Sequence, residues 1–575
     1  MKEKGFTIVL GAVLAGALLF GMGACKRDSA AASSGSSGAA RLRGSLPLTD
    51  GNTTLNLFLA ESGGANVVSS YAYADNRFTK KVVDETGINL NITVGSAANK
   101  REQLNVLLSA GDYPEVLITD TLNFNDLVYY AGQGILIPLD EYDPLGYPNI
   151  KAAFDEYPAL NERLRSNDGK MYALPSVNDC LHCIFSGGRY WYFMPWIRDN
   201  GLKMPETLDE FTEYLRYVKT HDMNGNGRQD EIPMATEKAN LNQFIAFLSK
   251  PFMPFVLSGV YFGLALDNGK VTEQYKDPRF REALKYMNGL YREGLILADS
   301  FSMNQDQMRA LASADTPILA VIGAPWKNNY TVQPSDRIME FFELRALEGP
   351  KGERNAGNQD PWSILSASYY ITDKCRDPEL AVALYDYFIN FEVMMDSYIG
   401  PKGEAWVDAA PDTKSILNLP ASHRMIVTYG SQVLNTTWDQ AAPMIRNKKF
   451  RGGEEAEGVE DMIRWLETGD PALRDPLVNN AAFTNEGTWY LTSAMNEPWA
   501  LPQSVFIPPI AFDDNDNARI ADINAVLNDF KQQVMVEFIT GVRNINDDGA
   551  WNTYLAELDR LGSAELATII QKYVE

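Results

Sequence analysis

From His221 to Glu231 the chain reads His-Asp-Met-Asn-Gly-Asn-Gly-Arg-Gln-Asp-Glu, and side-chain oxygens fall at alternate positions, on Asp222, Asn224 and Asn226. Gly227 permits a sharp turn, Arg228 would offer its backbone carbonyl, and Asp230 and Glu231 follow. A hard cation such as Ca²⁺ takes about six to eight oxygen ligands, which this pattern could supply. The spacing departs from an EF-hand, whose twelfth position carries a bidentate Glu. Pro233 stands there instead, and Glu231 is the candidate replacement. The alternative is a metal-free Asn-Gly turn.

Other chemistry finds little support. His182, His221 and His423 are the only histidines, and no two have the spacing of a helical zinc site. Cys180 and Cys183 have redox or metal spacing, but no second pair accompanies them, so a local disulfide or two unpaired thiols is expected. Cys375 is expected to be a buried small residue. No Gly-x-Ser-x-Gly elbow and no phosphate-binding Gly-Lys-Ser/Thr loop occurs. The 75 Asp and Glu make any carboxylate pair easy to imagine and therefore argue nothing about glycosidase action. No catalytic residue is assigned and the chain is not expected to be an enzyme. Against 51 Lys and Arg the formal net charge is −24, which argues against a nucleic-acid partner.

These residues must be positioned outside the cytoplasm if the N-terminus is an address. Lys2 and Lys4 precede an apolar run over residues 6–20, small residues follow, and then Cys25. That order is a secretory signal, and the run is too short to span a membrane comfortably. Met22-Gly23-Ala24-Cys25 resembles a lipobox, with Met22 where Leu is usual; the alternative is an ordinary signal peptide with an incidental cysteine. Residues 29–38 are almost only Ser, Ala and Gly, a flexible tether. The expected order is a signal peptide over 1–24, then a lipidated Cys25 and tether over 25–52, with acyl chains such as palmitate as the membrane anchor.

Strands and helices then alternate. Residues 54–59, 88–94 and 115–118 read as strands, and 78–85, 100–110 and 125–132 as helices, which indicates a parallel sheet. Beyond Pro175 the pattern is mostly helical, clearest at 208–220, 279–294, 378–391, 457–469 and 518–541. Residues 318–322 form a later apolar strand that could rejoin the first sheet.

In this order the chain resembles the extracellular solute-binding lipoproteins of ABC importers, in the large oligosaccharide-binding group, and within it the alginate-binding proteins. The resemblance rests on Gly111-Asp112-Tyr113-Pro114, Gly134 to Asp140, Gly169-Lys170-Met171-Tyr172-Ala173-Leu174-Pro175, Trp196-Ile197-Arg198-Asp199, Pro205 to Phe211 and Gly400 to Trp406, with Phe538 to Gly541, Trp551 and Tyr554 near the end. It implies an α/β fold of periplasmic-binding-protein type, two lobes joined by hinge strands with a ligand cleft between them and a helix-rich second lobe. Residues 53–176 plus about 317–370 are expected in the first lobe, and 177–316 plus about 371–575 in the second. It implies a structural Ca²⁺ on Asp222, Asn224, Asn226, Arg228, Asp230 and Glu231. It also implies capture of an oligosaccharide and delivery to ABC permease subunits by a monomer held at the membrane through its lipid; the alternatives are a peptide ligand or a surface polysaccharide-degrading enzyme. Sugars present apolar CH faces and hydroxyls, which suit aromatic rings and polar side chains. Tyr190, Trp191, Trp326, Trp362 and Trp406, with Asn76 and Arg77 at the start of the first helix, are the candidates to line the cleft.

Overall fold

The computed structural model describes residues 43, 45–61, 73–97, 99–179, 189–257, 261, 263–325, 330, 340–357, 365–415, 419–426, 436–447, 449–450, 452–453, 493, 495–508, 510 and 512–574. The signal and tether with Cys25, the pair Cys180 and Cys183, Trp326, Trp362 and the helix expected over 457–469 lie outside them.

The alternating run near the start of the body forms β1 (Thr53–Ala60). It leads to α1 (Arg77–Thr86), which Asn76 opens and Gly87 closes at φ 72°, the left-handed conformation that glycine adopts without strain. Next come β2 (Ile88–Gly95), α2 (Lys100–Ala110), β3 (Val116–Ile118) and α3 (Phe124–Gly132), the last started by a capping box between Asn123 and Asp126. β4 (Leu174–Asn178) ends this stretch. A second series follows: β5 (Tyr190–Phe193), α4 (Leu208–Thr220), β6 (Ile232–Ala235), α5 (Leu241–Ser249), a hairpin of β7 (Leu264–Asp267) and β8 (Lys270–Glu273), α6 (Pro278–Arg292), β9 (Leu319–Gly323) and β10 (Phe341–Glu343). The chain then forms β11 (Leu365–Ile371), α7 (Pro378–Phe388), α8 (Phe391–Tyr398), a small pair of β12 (Trp406–Asp408) and β13 (His423–Met425), and β14 (Ile445–Arg446). It ends in α9 (Asp514–Thr540), α10 (Asp548–Arg560) and α11 (Ser563–Gln571). No described helix is long and apolar enough to cross a membrane.

Two sheets organise these elements. The first has the order β14-β4-β11-β3-β1-β2, with β11 antiparallel between otherwise parallel neighbours. The second has the order β10-β5-β9-β6, with β5 antiparallel to both neighbours. Each sheet has its own core. One draws on residues 48–177 and 369–450, the other on 190–347 and 507–570. The fold is two-lobed and α/β, as the resemblance implies.

The lobe boundaries differ from expectation in two places. Residues 318–322 do not rejoin the first sheet: β9 lies between β5 and β6, in the second. Residues 371–450, expected in the second lobe, supply β14, α7 and α8 to the first. Five consecutive buried residues in β9 mark a central strand, but an apolar run carries no sign of which sheet receives it.

Candidate functional site

Strand direction brings two sheet edges to the same place. In the first sheet the carboxyl ends of β1, β2, β3, β4 and β14 share one edge, since Ala60 pairs with Gly95, Leu59 with Ile118, and Asn178 with Arg446, while β11 starts beside Val177. In the second, the carboxyl ends of β6, β9 and β10 share an edge with the start of β5, since Tyr190 pairs with Gly323 and Trp191 with Glu343. Among the described residues the chain changes lobe three times: between Asn178 and Tyr190, between Ala356 and Leu365, and between Gly453 and Ser493. Its first crossing leaves one of these edges and enters the other. In open α/β sheets, ligands bind outside the carboxyl ends of the strands, and helices α1, α2 and α3 follow β1, β2 and β3, so their positive N-terminal ends lie on the same edge. Asn125, in the first turn of α3, donates from Nδ2 to Asn517 Oδ1 in the first turn of α9 at 3.4 Å, a contact between the lobes.

Four residues expected to line this cleft are instead structural. Asn76 is fully buried: its Oδ1 accepts from the backbone N–H groups of Phe78 and Thr79 at 2.8 and 3.3 Å, and its Nδ2 donates to the Thr437 carbonyl. Tyr190 stacks on Phe247 with ring centroids 4.0 Å apart and donates to the Phe244 carbonyl at 3.0 Å. Trp191 donates from Nε1 to the Ala324 carbonyl at 2.8 Å, and Trp406 to Asp396 Oδ1 at 3.0 Å. All four of these side chains have no exposed surface. β5 is covered on both faces, so its aromatic run is core. Arg77 does stand exposed at the start of α1, in a bidentate pair with Glu404 at 2.8 and 2.9 Å; the guanidinium holds the Glu404 carboxyl below its usual range.

The same edges carry buried polar groups that the sequence did not single out. Glu237 lies two residues past the end of β6, where Thr236 donates from Oγ1 to the Gly323 carbonyl at 2.6 Å. Its Oε1 accepts from the Tyr330 hydroxyl at 2.6 Å and from Asn240 Nδ2 at 2.9 Å, and Asn240 also bonds the Tyr330 hydroxyl. Nearby, Arg189 Nε lies 3.2 Å from Glu343 Oε2, both residues almost fully buried. Asn496 Nδ2 donates to Glu343 Oε1 at 3.1 Å, and Ser493 Oγ lies 3.5 Å from Oε2. Arg189 ends the first crossing, Glu343 ends β10 before the second, and Ser493 and Asn496 follow the third. Burial pushes the adjacent Lys250 ammonium down to about 7, with Glu343 opposing. On the first lobe, Asp439 has left-handed backbone, φ 51°, and burial pushes its carboxyl up to about 6 against the pull of Arg446. A charged residue just past a buried apolar strand was the available signal for Glu237; Arg189, Glu343 and Asp439 offered none.

The oxygen-rich loop lies elsewhere. It joins α4 to the start of β6, at the edge of the second sheet opposite the crossings, where Asn224 Nδ2 donates to the Pro317 carbonyl at 3.0 Å. Asp222 folds the loop by accepting from the backbone N–H groups of Asn226 and Gly227 at 3.1 and 2.7 Å. Asp230 Oδ1 accepts from the amides of Asn224 and Asn226 at 3.3 and 3.1 Å, so these three side chains converge. Glu231 accepts at Oε1 from the Met223 N–H at 2.8 Å, and its Oε2 from Gln229 at 3.1 Å. Among the described residues no three carboxylate, His or Cys side chains converge as a metal cluster. Asn224 and Asn226 turn their amide N–H groups to Asp230, their oxygens accept from the Asn226 and Arg228 backbone N–H groups, and Glu231 is turned to the backbone, so a cation would require these side chains to turn.

Two α/β lobes, facing sheet edges and three crossings are the architecture of the solute-binding proteins of ABC importers, and the chain has that fold. No family model matches it. In sequence it is similar to the fructooligosaccharide ABC transporter substrate-binding protein FusA of Streptococcus pneumoniae, 25% identical over 512 residues, 86% of each chain. Lipoprotein LipO of Bacillus subtilis is 25% identical over 242 residues, 41% of this chain and 44% of LipO. The structure of FusA in complex with kestose matches 90% of this chain and 98% of that one, with 22% identity and a TM-score of 0.65; FusA has also been solved as an EF-hand mutant. A human-milk-oligosaccharide-binding solute-binding protein of Bifidobacterium longum infantis matches 91% and 98%, with 18% identity and a TM-score of 0.68. Alginate-binding protein AlgQ2 without calcium ion matches 92% and 98%, with 17% identity and a TM-score of 0.56.

Proposed function

We propose that this protein captures an oligosaccharide between its lobes and delivers it to the permease of an ABC importer. The observation that carries this reading is the meeting of the two carboxyl-end sheet edges at the crossings. Ligand contacts made to both edges favour the closed arrangement, since a ligand shifts such an equilibrium only by its differential affinity for the two states. Arg77 contributes from the first lobe, and Trp326, just past β9, and Trp362, just before β11, supply stacking faces. The likeness to FusA supports a sugar. A thermal-shift screen against neutral oligosaccharides, uronate oligosaccharides and peptides tests the reading; a rise with peptides alone sinks it. Sugar release by the purified protein would overturn the assignment as a carrier without catalysis.

Cys25 carries the acyl chains that hold the protein at the membrane, a reading that the lipobox-like run and the likeness to LipO support. The Cys25→Ala protein should leave the membrane fraction, and its retention there would end this assignment. The loop holds a structural Ca²⁺ through Asp222, Asn224, Asn226, the Arg228 carbonyl and Asp230, with Glu231 joining by turning its carboxylate from the Met223 N–H. Calcium bound there would supply charge to tie the loop to β6; the loop lies away from the crossings, so it takes no part in sugar contact.

A further inference from the structure

Glu237 is a nearly buried carboxylate, 4% exposed, with no cation in salt-bridge distance among the described residues. Both of its hydrogen bonds are received on Oε1, from Tyr330 and Asn240. Among the described residues its Oε2 receives none, and it is not among the enclosed unpartnered polar atoms, so it opens at the sheet edge. The backbone on either side is fixed, with the Thr236 N–H donating to Ser300 Oγ at 3.2 Å and the Lys238 N–H to the Met303 carbonyl at 3.1 Å. Burial, then Glu237 itself, pushes the Tyr330 hydroxyl far above its ordinary value, so Tyr330 stays a donor and clamps one oxygen while the other is free.

Desolvating a carboxylate is costly unless something repays it. Among the described residues only half of this carboxylate is repaid. Its position at the carboxyl ends of β6 and β9, facing the crossings, indicates that the remaining partner comes from the ligand. A carboxylate only accepts hydrogen bonds. A sugar hydroxyl therefore satisfies Oε2, whereas a uronate carboxylate brought to it meets like charge in a poorly solvated place. We propose that Glu237 is a specificity-determining residue, whose open oxygen accepts hydroxyl hydrogens from the bound oligosaccharide and makes the cleft select neutral sugars over uronates. Tyr330 and Asn240 act as positioning residues. Lys238, exposed and next in the chain, forms no ion pair with Glu237 among the described contacts. This inference rests on the oligosaccharide reading above.

Titration calorimetry on the full mature chain tests it, with neutral fructo-, gluco-, galacto- and manno-oligosaccharides and galacturonate oligosaccharides of matched length as probes, and a set of peptides. The Glu237→Gln variant keeps an oxygen for Tyr330 and Asn240 and puts an amide donor where Oε2 stood. The expected result is neutral-sugar binding by the parent protein, at least about tenfold weaker in Glu237→Gln, with a melting temperature close to the parent's. Should that variant unfold, Tyr330→Phe removes the clamp alone and should weaken the same sugar about three- to tenfold. Unchanged affinity in a folded Glu237→Gln or Tyr330→Phe protein would overturn the role of Glu237 and leave sugar capture standing. Preference of the parent for galacturonates would overturn the charge selection. No sugar binding at all, or binding of peptides alone, would remove the oligosaccharide reading and this inference with it.

Discussion

The two edges of the second sheet are built on opposite plans. At the edge facing the crossings, Glu237, Tyr330, Asn240, Arg189 and Glu343 are all buried, and apart from the local bond between Glu237 and Asn240 the partners described come from distant parts of the chain. At the opposite edge, the loop from Asp222 to Asp230 is largely exposed and, apart from the bond from Asn224 to the Pro317 carbonyl, the hydrogen bonds described for it close within a few residues. A place that must recognise a ligand is dry and preorganised, and its polar groups cost stability when a partner is lost. A place that wraps a cation is local, wet until filled, and cheap to disturb. The difference teaches where to look for large and small effects of mutation.

Glu343→Gln should be the most damaging change, because it leaves Arg189 buried without its carboxylate; a loss of about 3–5 kcal/mol is expected in urea unfolding, with binding weakened through the crossings. A loss below about 1 kcal/mol would mean that this edge is not the rigid one. Asp439, beside β14 on the facing edge of the first sheet, should act in the other direction. Its carboxyl is raised from 3.8 to about 6, so the folded chain binds more protons than the unfolded one between those values. Its contribution to stability is therefore most favourable below about 4, falls as pH rises through 6, and stays lowest above. Asp439→Asn should gain on the order of 2–3 kcal/mol at pH 7.5 and much less at pH 4.5. A pH-independent difference would show that burial is not the cause.

On the opposite edge, added calcium should raise the melting temperature of the parent by about 5 °C, and Asp222→Ala should abolish the rise. Sugar affinity should change less than about twofold in that variant, because the loop lies away from the crossings. A large loss of sugar affinity would erase the contrast between the edges. Smallest of all, Glu404→Gln should move the melting temperature by less than about 2 °C, since its pair with Arg77 is solvent-exposed on both sides.

The local features were legible because their signals are short. The helix start at Asn76, its stop at Gly87, the β/α alternation through α3 and the Asp-x-Asn-x-Asn loop each occupy a few neighbouring residues. The placement of β9, and of α7, α8 and β14, was not, because membership of a sheet or core depends on partners far away in sequence. Tyr190, Trp191 and Trp406 misled for a related reason: an aromatic ring beside a hinge and one in a core have the same sequence signature, and burial decides between them. Glu237 could be noticed only as a charge past a buried strand, and its meaning depends on Tyr330, 93 positions later.

Both cores are assembled from segments wide apart in the chain, and this bears on synthesis and export. The first sheet is not complete until β14 at Ile445–Arg446, and the second core needs α9 to α11, which end at Gln571. The chain must therefore emerge to about residue 450 before the first lobe can close, and almost to its end before the second can. If the proposed N-terminal signal sends the chain out, that delay would keep it slack enough to be threaded through a translocation channel, with folding beginning in earnest only on the far side.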